Sequence, residues 1–428
     1  MTPRQLAHTL LQKAETNDQY LNIALDHALS ASDMSEADRG LAAALVYGVT
    51  EKRLTLDYQI SHYAKRSVTE LDLSVRTALR MGFYQLMFLD RIPPHAAVSE
   101  TVSLVSRKAA GFVNAVLRAY TRSPHLHLPD RAESLADYLS VAYSVGLPLC
   151  QKLLSAFGEE KAEKLLQGFA TIPPTTLSTN TLRITREELA ACIPTAQPTP
   201  HAPQGLTVKG ALRSLYGFAE GLFFVQDEAS QLCVEALGAE AGETVMDICS
   251  CPGSKSFGSA IRMQNQGQIL AFDLHAKKLP LIESGAKRLG ITIIKTAVRD
   301  GRDFLSEWEE RADRVLCDVP CSGFGVLAKK PELRYKDPAV SETLPAIQRA
   351  ILANACRYVK KGGTLVYSTC TIFPEENEET IADFLKQHPD FSLCPFAVGD
   401  FLCEEGQITL LPHERGTDGF FIAKLIRA

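Results

Sequence analysis

The sequence lacks the features that place a protein in a membrane or hold it together with disulfides. No apolar run approaches the ~20 residues that a membrane-spanning helix needs. The first residues, MTPRQLAHTLLQKAETNDQ, have no apolar core of the kind found in signal peptides. The eleven cysteines are odd in number and scattered, and many lie inside apolar runs. This pattern favours reduced thiols over a disulfide framework, so we expect a cytoplasmic protein.

Recognisable metal and phosphate sites are also missing. Cys249 and Cys251 are too close together for the usual zinc pair, and no matching cluster of His and Cys accompanies them, so we expect no metal. Neither the phosphate-binding spacing G-x-x-x-x-G-K-S/T nor a dinucleotide fingerprint occurs. A formal net charge of −5 argues against a uniformly basic nucleic-acid binder. Local basic patches can still contact phosphates.

Two such patches occur. Segment 101–122 has no acid, and segment 329–336 has Glu332 as its only acid. These patches either contact nucleic-acid phosphates or form solvated helix and loop faces, and their composition leaves both interpretations open. Their basic residues are Arg107, Lys108, Arg118 and Arg122 in the first segment, and Lys329, Lys330, Arg334 and Lys336 in the second.

The length and the hydrophobic patterns predict several domains. The chain has 428 residues, of which 46% are hydrophobic and 22% charged, as in globular proteins. Helical spacing of apolar residues over 1–128 predicts an all-α domain. Residues 129–220 predict linker helices and a small α+β extension, with capping-box spacing from Thr185 to Glu188. Alternating apolar strands and helices over 221–428 predict a parallel α/β sheet that ends in an antiparallel hairpin.

Acids end successive predicted strands of this C-terminal domain. The first strand runs into residues 249–255, where Gly253 lets the backbone turn tightly and Lys255 adds a charge. Asp273 ends the second strand at a spacing suited to ribose hydroxyls, and Asp300 follows the third strand, where it suits an adenine amino group. Acids without phosphate-loop glycines favour a nucleoside ligand such as S-adenosylmethionine. A methyltransferase and another nucleoside-binding enzyme remain equally compatible with these residues.

Two cysteines follow neighbouring apolar runs, Cys321 in DVPCSG and Cys370 in YSTCT. A buried structural thiol is the default for any cysteine. If both runs are adjacent parallel strands, however, the two thiols share the rim of the sheet at which ligands bind. Asp318 would raise the pKa of Cys321, so thiol activation must come from Lys255 or from the basic loop 329–336. A thiolate that adds to carbon 6 of a cytosine would activate carbon 5 for methylation, and a second thiol would serve release.

Several segments make the chain resemble a known family. The C-terminal segments that resemble RNA 5-methylcytosine methyltransferases are DICSCPGSKS, DVPCSGFGVLAKKPELR, YSTCTIFPEENE and LLPHERGTDGFFIAKL. The N-terminal segments that resemble a NusB-like helical domain are ADRGLAAALVYGV, DRIPPHAAVSETV and GFVNAVLR. The whole chain is similar to bacterial 16S rRNA cytosine-5 methyltransferases of the RsmB (Sun/Fmu) type. The resemblance implies a NusB-like RNA-binding domain (1–128), an RNA-binding α+β extension within 129–220, and a Rossmann-like class I methyltransferase domain (221–428).

The resemblance also implies roles for single residues. Cys370 would attack carbon 6 of the cytosine and Cys321 would assist product release. Asp273 and Asp300 would hold the ribose and adenine of S-adenosylmethionine, and Asp318 would lie near its amino group or the target base. The residues that would wrap the methionine end are Cys249, Ser250, Cys251, Pro252, Gly253, Ser254 and Lys255.

The expected partner is ribosomal RNA, bound by a monomeric enzyme. The basic residues expected to contact it are Arg107, Lys108, Arg118, Lys329, Lys330 and Arg334. Ser254 departs from the glycine usual in the family, which would strain the backbone if that position needs positive φ. The same chemistry on tRNA or at another rRNA position remains open. A non-catalytic RNA-binding protein of the antitermination type is disfavoured by the thiol pair.

Overall fold

The computed structural model describes residues 1–16, 21–171, 173–210, 212, 215–398 and 401–428. Over these residues the chain forms two compact units. The helical unit comprises Met1–Leu166 together with Lys330–Asp337, and the sheet unit comprises Gln167–Lys329 and Pro338–Ala428. The helical unit therefore also includes the linker helices that follow the predicted boundary at 128.

The helical unit is all-α, as predicted. Its core is formed by apolar residues that recur at helical spacing, among them Leu45, Leu79, Phe83 and Leu117. Pro94 occupies the first turn of a helix, where its missing N–H costs nothing. The helices are α1 Pro3–Thr16, α2 Leu21–Ser30, α3 Glu36–Glu51, α4 Arg53–Ala64, α5 Leu73–Phe88, α6 Pro94–Val102, α7 Arg107–Arg122, α8 Leu135–Tyr143 and α9 Leu147–Ala170, whose last residues belong to the sheet unit.

A small antiparallel sheet opens the sheet unit and confirms the predicted α+β extension. Its strands are β1 Thr175–Thr179, β2 Gln197–Pro198, β3 Gly205–Val208 and β4 Phe223–Val225, in the order β2-β3-β1-β4. Helix α10 (Arg186–Cys192) lies between β1 and β2 in the chain. It begins with the predicted capping box, in which Thr185 and Glu188 satisfy each other's backbone N–H groups.

The large sheet has the predicted parallel α/β topology. Its strands are β5 Thr244–Asp247, β6 Gln268–Asp273, β7 Ile294–Val298, β8 Ala312–Asp318, β9 Val359–Thr369, β10 Phe391–Leu393, β13 Gln407–Leu410 and β14 Phe420–Arg427. A separate hairpin is made by β11 Phe396–Val398 and β12 Phe401–Cys403. The helices are α11 Glu228–Leu237, α12 Ser254–Arg262, α13 Leu279–Leu289, α14 Leu344–Ala355, α15 Glu378–Gln387 and α16 Pro412–Arg415.

The strand order β10-β14-β9-β8-β5-β6-β7 fixes where a ligand can bind. Strands β5 to β9 run parallel, and β14 pairs antiparallel with both β9 and β13, which confirms the predicted terminal hairpin. Chain order reverses between β5 and β8, so the carboxyl ends of these two strands diverge into a crevice. None of the helices in the described part of the chain has the length and apolar character needed to cross a membrane.

Candidate active site

The two predicted cysteines meet at the carboxyl rim of the large sheet. Strands β8 and β9 are parallel neighbours, with Asp318 opposite Ser368. Cys321 and Cys370 follow these strand ends, and their sulfurs lie 3.0 Å apart. The Cys370 N–H also donates to the Cys321 Sγ at 3.2 Å. Because a disulfide bond is about 2.05 Å long, the two sulfurs are in contact but not bonded.

The pKa of Cys321 is raised well above the ordinary thiol value. The largest cause is the hydrogen bond to Cys370, followed by burial and by the negative charges of Cys370 and Glu376. A thiol with a raised pKa keeps its proton at neutral pH. Cys321 is therefore held in its neutral form.

Glu376 holds the Cys321 loop, which we define as residues 319–325. Its carboxylate is 1% exposed. It accepts hydrogen bonds from the Ser322 backbone N–H at 2.9 Å, the Ser322 hydroxyl at 2.5 Å and the Gln348 side-chain amide at 2.9 Å. Gln348 also donates to the Pro320 carbonyl at 3.0 Å. The residues on both sides of Cys321 are thereby fixed.

Asn377 does the same for the Cys370 loop, residues 370–377. The Thr369 hydroxyl donates to Asn377 Oδ1 at 2.6 Å, and Asn377 Nδ2 donates to the Thr371 carbonyl at 3.1 Å. Both neighbours of Cys370 are thus held by one buried amide. The sequence analysis did not single out Glu376 or Asn377. They follow the second cysteine in a segment without periodicity, so no local pattern distinguished them.

Lys255 and Asp318 form a partly buried ion pair beside the thiols. Lys255 Nζ lies 2.7 Å from Asp318 Oδ2, and the Ser368 hydroxyl donates to Asp318 Oδ1 at 2.8 Å. Burial lowers the pKa of Lys255, but the charges of Asp318 and of the thiolate forms of Cys233 and Cys370 outweigh it, so the pKa is raised. Lys255 is therefore a permanent cation within electrostatic reach of Cys370, and it neutralises Asp318.

The loop after β5 brings backbone to the same rim. Ser250 turns back on β6, since its N–H and hydroxyl both reach the Phe272 carbonyl at 2.7 and 2.8 Å. Gly253 has φ 108°, and a Cβ there would come within 2.7 Å of the Phe257 ring. Ser254 begins α12 and has no positive φ. The strain expected at Ser254 is therefore absent, because the adjacent glycine makes the turn.

Asp247, at the end of β5, is a further acid of this loop that the sequence analysis missed. It is 1% exposed, and the Ser256 hydroxyl donates to its Oδ2 at 2.5 Å. Its Oδ1 has no hydrogen-bond partner in the described part of the chain. Burial raises the pKa of Asp247 to about 7, although the Ser256 bond opposes the shift. An acid closing an otherwise apolar run was the available signal.

The predicted nucleoside-binding acids act together on the pKa of one thiol. Burial raises the pKa of Cys249, and the charges of Asp247, Asp318, Asp273 and Asp300 raise it further, so these carboxylates lie within electrostatic range of Cys249. Asp273 accepts the His275 N–H at 2.9 Å. Asp300 pairs with an arginine, Arg302, two residues later in the chain, and hydrogen bonds from Arg302 lower its pKa to about 2.

The basic residues predicted to contact RNA fall into two groups. Arg107, Lys108 and Arg118 are exposed on α7, and Lys330 is exposed in the inserted segment of the helical unit. Lys329 is instead paired with Asp227 and with Asp418, the latter at 2.7 Å. Its charge is thus already neutralised within the sheet unit.

Arg334 must be withdrawn from the predicted RNA contacts. Its side chain is 1% exposed, and it donates to the Tyr143 carbonyl at 3.1 Å inside the helical unit. The neighbouring Tyr335 hydroxyl bonds to the Thr50 carbonyl at 2.6 Å and the Ser144 hydroxyl at 2.8 Å. Segment 330–337 is a packed part of this unit rather than a solvated basic loop.

No cluster of three or more His, Cys, Asp or Glu side chains in the described ranges is arranged to hold a metal ion.

Known protein families match most of the chain. A family model described as 16S rRNA methyltransferase RsmB/F matches residues 234–426, and the NusB family matches residues 1–122. The probable ribosomal RNA small subunit methyltransferase B of Bacillus subtilis is 36% identical over 99% of this chain and 98% of its own length. Its counterpart from Synechocystis is also 36% identical, over 100% of both chains.

Solved structures support the same assignment. The structure of PH0851 is 27% identical and superposes with a TM-score of 0.81 over 100% of this chain and 99% of its own. A methyltransferase homolog protein from Pyrococcus horikoshii is 26% identical, with a TM-score of 0.61 over 69% of this chain and 99% of its own. The chain therefore belongs to the RsmB/F family of 16S rRNA methyltransferases, with a NusB-family region at its N-terminus.

Proposed function

We propose that this methyltransferase transfers a methyl group from S-adenosylmethionine to carbon 5 of a cytosine in small-subunit (16S) ribosomal RNA, through a covalent bond between Cys370 and carbon 6. The observation that carries the proposal is the sulfur pair 3.0 Å apart at the ligand-binding rim. Carbon 5 of cytosine is too weak a nucleophile to attack a methyl sulfonium directly, so covalent addition must first activate the ring. A second thiol is useful only where that bond must later break.

The residues of the rim fit S-adenosylmethionine. Its ammonium and sulfonium are positive, and Asp247, Asp273 and Asp300 converge around the loop after β5. The buried Asp247 Oδ1 has no hydrogen-bond partner in the described part of the chain, so it can accept a donor from a ligand. Asp273 would hold the ribose hydroxyls, Asp300 the adenine amino group, and residues 249–255 the methionine end. When bound, this cofactor supplies an electrophilic methyl group.

The electrostatics of the pair support different roles for its members. Lys255 lies within electrostatic reach of Cys370, so its charge stabilises a Cys370 thiolate. The Cys370 sulfur adds to carbon 6, and the resulting enamine directs an electron pair from carbon 5 to the methyl group, whose bond to the cofactor sulfur breaks with its electrons left on that sulfur. Carbon 5 then loses its proton, the electrons of that C–H bond re-form the carbon 5–carbon 6 double bond, and the Cys370 sulfur leaves with the electrons of its bond to carbon 6.

Cys321 serves the release step. The raised pKa of Cys321 keeps it a neutral thiol while Cys370 attacks. A neutral thiol both donates and accepts, so Cys321 can take the carbon 5 proton as it gives its own proton to the departing Cys370 sulfur 3.0 Å away. Carbons 5 and 6 of a paired base are stacked and out of reach, so the target cytosine must be unstacked or single-stranded. The relatives named as small subunit methyltransferases favour 16S rRNA as the substrate.

The test is methyl transfer from labelled S-adenosylmethionine to unmodified 16S rRNA and to tRNA, followed by mapping of 5-methylcytosine. We expect one or a few labelled cytosines in 16S rRNA. Label confined to tRNA would overturn the substrate assignment, and no transfer to any RNA cytosine would overturn the enzyme activity proposed.

Single substitutions separate the two thiols. Cys370→Ala should abolish transfer, and Cys321→Ala should accumulate a protein–RNA adduct that survives denaturing electrophoresis. Cys192→Ala, at an exposed thiol on α10, is the matched control and should behave like the wild type. An adduct in Cys370→Ala and none in Cys321→Ala would mean that the roles are exchanged.

A further inference from the structure

The sheet unit also contains a cleft that has no part in the proposed methyl transfer. We call it the β1–α12 cleft. It has a volume of about 130 Å³ and lies between the small sheet and helices α11 and α12. Val234 and Ile261 give it apolar walls, and the ion pair of Glu235 and Arg262 (2.6 Å) lies at its edge. The residues that determine what it can bind are Thr179, Gln226 and Gln231.

These three residues leave hydrogen-bonding atoms unused. The Thr179 hydroxyl, Gln226 Nε2 and Gln231 Oε1 are buried and have no partner in the described part of the chain. The residues are 1%, 4% and 4% exposed, and all three line the cleft. An unsatisfied buried polar atom costs about 1–3 kcal/mol, and such atoms are rare in folded proteins. Three of them around one cavity indicate a ligand that completes their hydrogen bonds.

The orientation of one amide is fixed by its other bonds. Gln231 Nε2 donates to the Leu177 carbonyl at 3.1 Å and to the Gln226 backbone carbonyl at 2.9 Å. The nitrogen of this amide is therefore engaged by the backbone, and its oxygen remains as an acceptor for the ligand. The Thr179 hydroxyl both donates and accepts, and Gln226 offers a donor. The cleft thus requires a group that carries a donor and an acceptor side by side.

The charge and size of the cleft narrow the ligand further. The three unused atoms are neutral, and Glu235 and Arg262 neutralise each other. This argues against a phosphate or a carboxylate. A cavity that holds one water needs a volume of about 10–15 Å³, whereas sites for drug-sized ligands have volumes of about 300–1,000 Å³. A volume of about 130 Å³ therefore suits one flat ring better than a single water or a whole nucleotide.

We propose that the β1–α12 cleft binds one nucleobase of the RNA by its hydrogen-bonding edge. The ligand chemistry follows from the cleft alone, and its source in substrate RNA rests on the proposed function. Helix α12 has nine residues and begins at Ser254, beside the cofactor loop, while Gly258, Ile261 and Arg262 line the cleft from its second half. At 1.5 Å per residue the helix spans about 13 Å. The bound base is therefore a neighbour of the methylated cytosine and fixes the position of the RNA.

The first test is direct binding, which needs no methyl transfer. Crystals of the full chain saturated with S-adenosylmethionine, so that nucleosides cannot enter the cofactor loop, are soaked in cytidine or uridine. We expect a pyrimidine ring in the cleft, bonded to Gln226 and Gln231. Ordered water alone in the cleft, or a nucleoside only elsewhere, would overturn the proposal. A protein that methylates no RNA would overturn the proposed function, but the soaked crystals would still show whether the cleft binds a base.

The second test uses variants that keep the volume of the cleft and remove its polar atoms. Thr179→Val combined with Gln226→Met should raise the KM for RNA about 10-fold, since two neutral hydrogen bonds are lost, while kcat stays unchanged. The matched control is Thr207→Val with Gln266→Met, at a half-buried and an exposed position outside the cleft. Nucleoside binding in the crystal with an unchanged KM would mean that the cleft takes free nucleosides and not the RNA. A fall in kcat with no change in KM would also contradict a positioning role.

Discussion

The Cys321 loop and the Cys370 loop end adjacent strands and place their sulfurs in contact, yet they are held by side chains of different charge. A carboxylate, Glu376, holds the first loop, and a neutral amide, Asn377, holds the second. The positive charge of Lys255 favours a thiolate at Cys370, whereas the negative charge of Glu376 contributes to the raised pKa of Cys321. Two chemically identical side chains are thereby placed in different electrostatic environments.

This difference teaches how a symmetric pair of thiols acquires separate roles. At 3.0 Å the sulfurs cannot both ionise, because two negative charges so close repel strongly. A positive charge near one and a negative charge near the other then decide which one ionises. The roles follow from consecutive residues, Glu376 and Asn377, as much as from the cysteines themselves.

The largest loss of activity is expected from Lys255→Met, which removes the positive charge near Cys370. Removing the cation leaves the Cys370 thiolate without its nearest positive charge, and it leaves Asp318 as a second uncompensated negative charge. We expect kcat to fall about 100- to 1,000-fold, the range found when one group that stabilises developing charge is removed. Single-turnover formation of the protein–RNA adduct measures this step, and raising the pH should recover part of the rate.

A double variant separates this loss from instability. Breaking a buried pair by removing one partner destabilises the fold, whereas removing both partners costs less. Lys255→Met with Asp318→Asn should therefore regain much of the thermal stability and none of the adduct rate. If the double variant also regained the rate, Lys255 would act only as the partner of Asp318.

A smaller loss of activity is expected from Glu376→Gln, which removes the negative charge near Cys321. The charge that helps to raise the pKa of Cys321 disappears, so this pKa falls. We expect adduct resolution to slow about 10-fold, because one amide oxygen replaces a carboxylate that accepted three hydrogen bonds. The pH profile of resolution should move to lower pH, a change that a purely structural role would not produce.

Glu379→Gln is the matched control for this variant, since Glu379 is exposed on α15. It should leave both the rate and the pH profile unchanged. A profile of Glu376→Gln that moved to higher pH would contradict the sign assigned to the Glu376 charge.

The positions of the thiols and acids were predictable from the sequence, but the side chains that hold them were not. Cys321 and Cys370 each follow an apolar run, and the parallel pairing of β8 with β9 then brings them together. Glu376 and Asn377 lie in an irregular segment without periodicity. Which loop each one reaches depends on how that segment folds back over the rim, and local patterns carry no information about this.

The basic loop after Cys321 shows more clearly what cannot be predicted from composition. Lys329 and Arg334 have the same charge as the exposed residues of α7, so composition could not distinguish them. Only long-range packing does: Arg334 meets the Tyr143 carbonyl 191 residues earlier in the chain, and Lys329 meets Asp227 102 residues earlier. Asp247 was overlooked for a related reason, because it completes a strand that is otherwise apolar.

A third effect concerns stability and extends the comparison to two carboxylates of the rim, Asp247 and Asp300. Burial raises the pKa of Asp247 from 3.8 to about 7, so the folded protein holds this proton more tightly than the unfolded chain. Stability from this group is fully present below pH ~4 and is lost as the pH rises to about 7. Asp247→Asn cannot ionise, so without cofactor its stability advantage over the wild type should grow across this window, by up to a few kcal/mol at about 1.4 kcal/mol per pKa unit.

Asp300→Asn is the control with the opposite sign. Hydrogen bonds from Arg302 lower the pKa of Asp300 to about 2, so the stability that Asp300 contributes is present above its ordinary pKa of 3.8 and is lost as the pH falls toward 2. Urea unfolding of the cofactor-free protein between pH 4.5 and 8.5 measures both variants. The advantage of Asp247→Asn should increase with pH, whereas the small deficit of Asp300→Asn should stay nearly constant, because Asp300 is ionised throughout that range. A pH-independent difference for Asp247→Asn would mean that this carboxyl is already ionised at low pH. It would then reach the cofactor as a fixed anion, in contrast to the neutral acid that its burial implies.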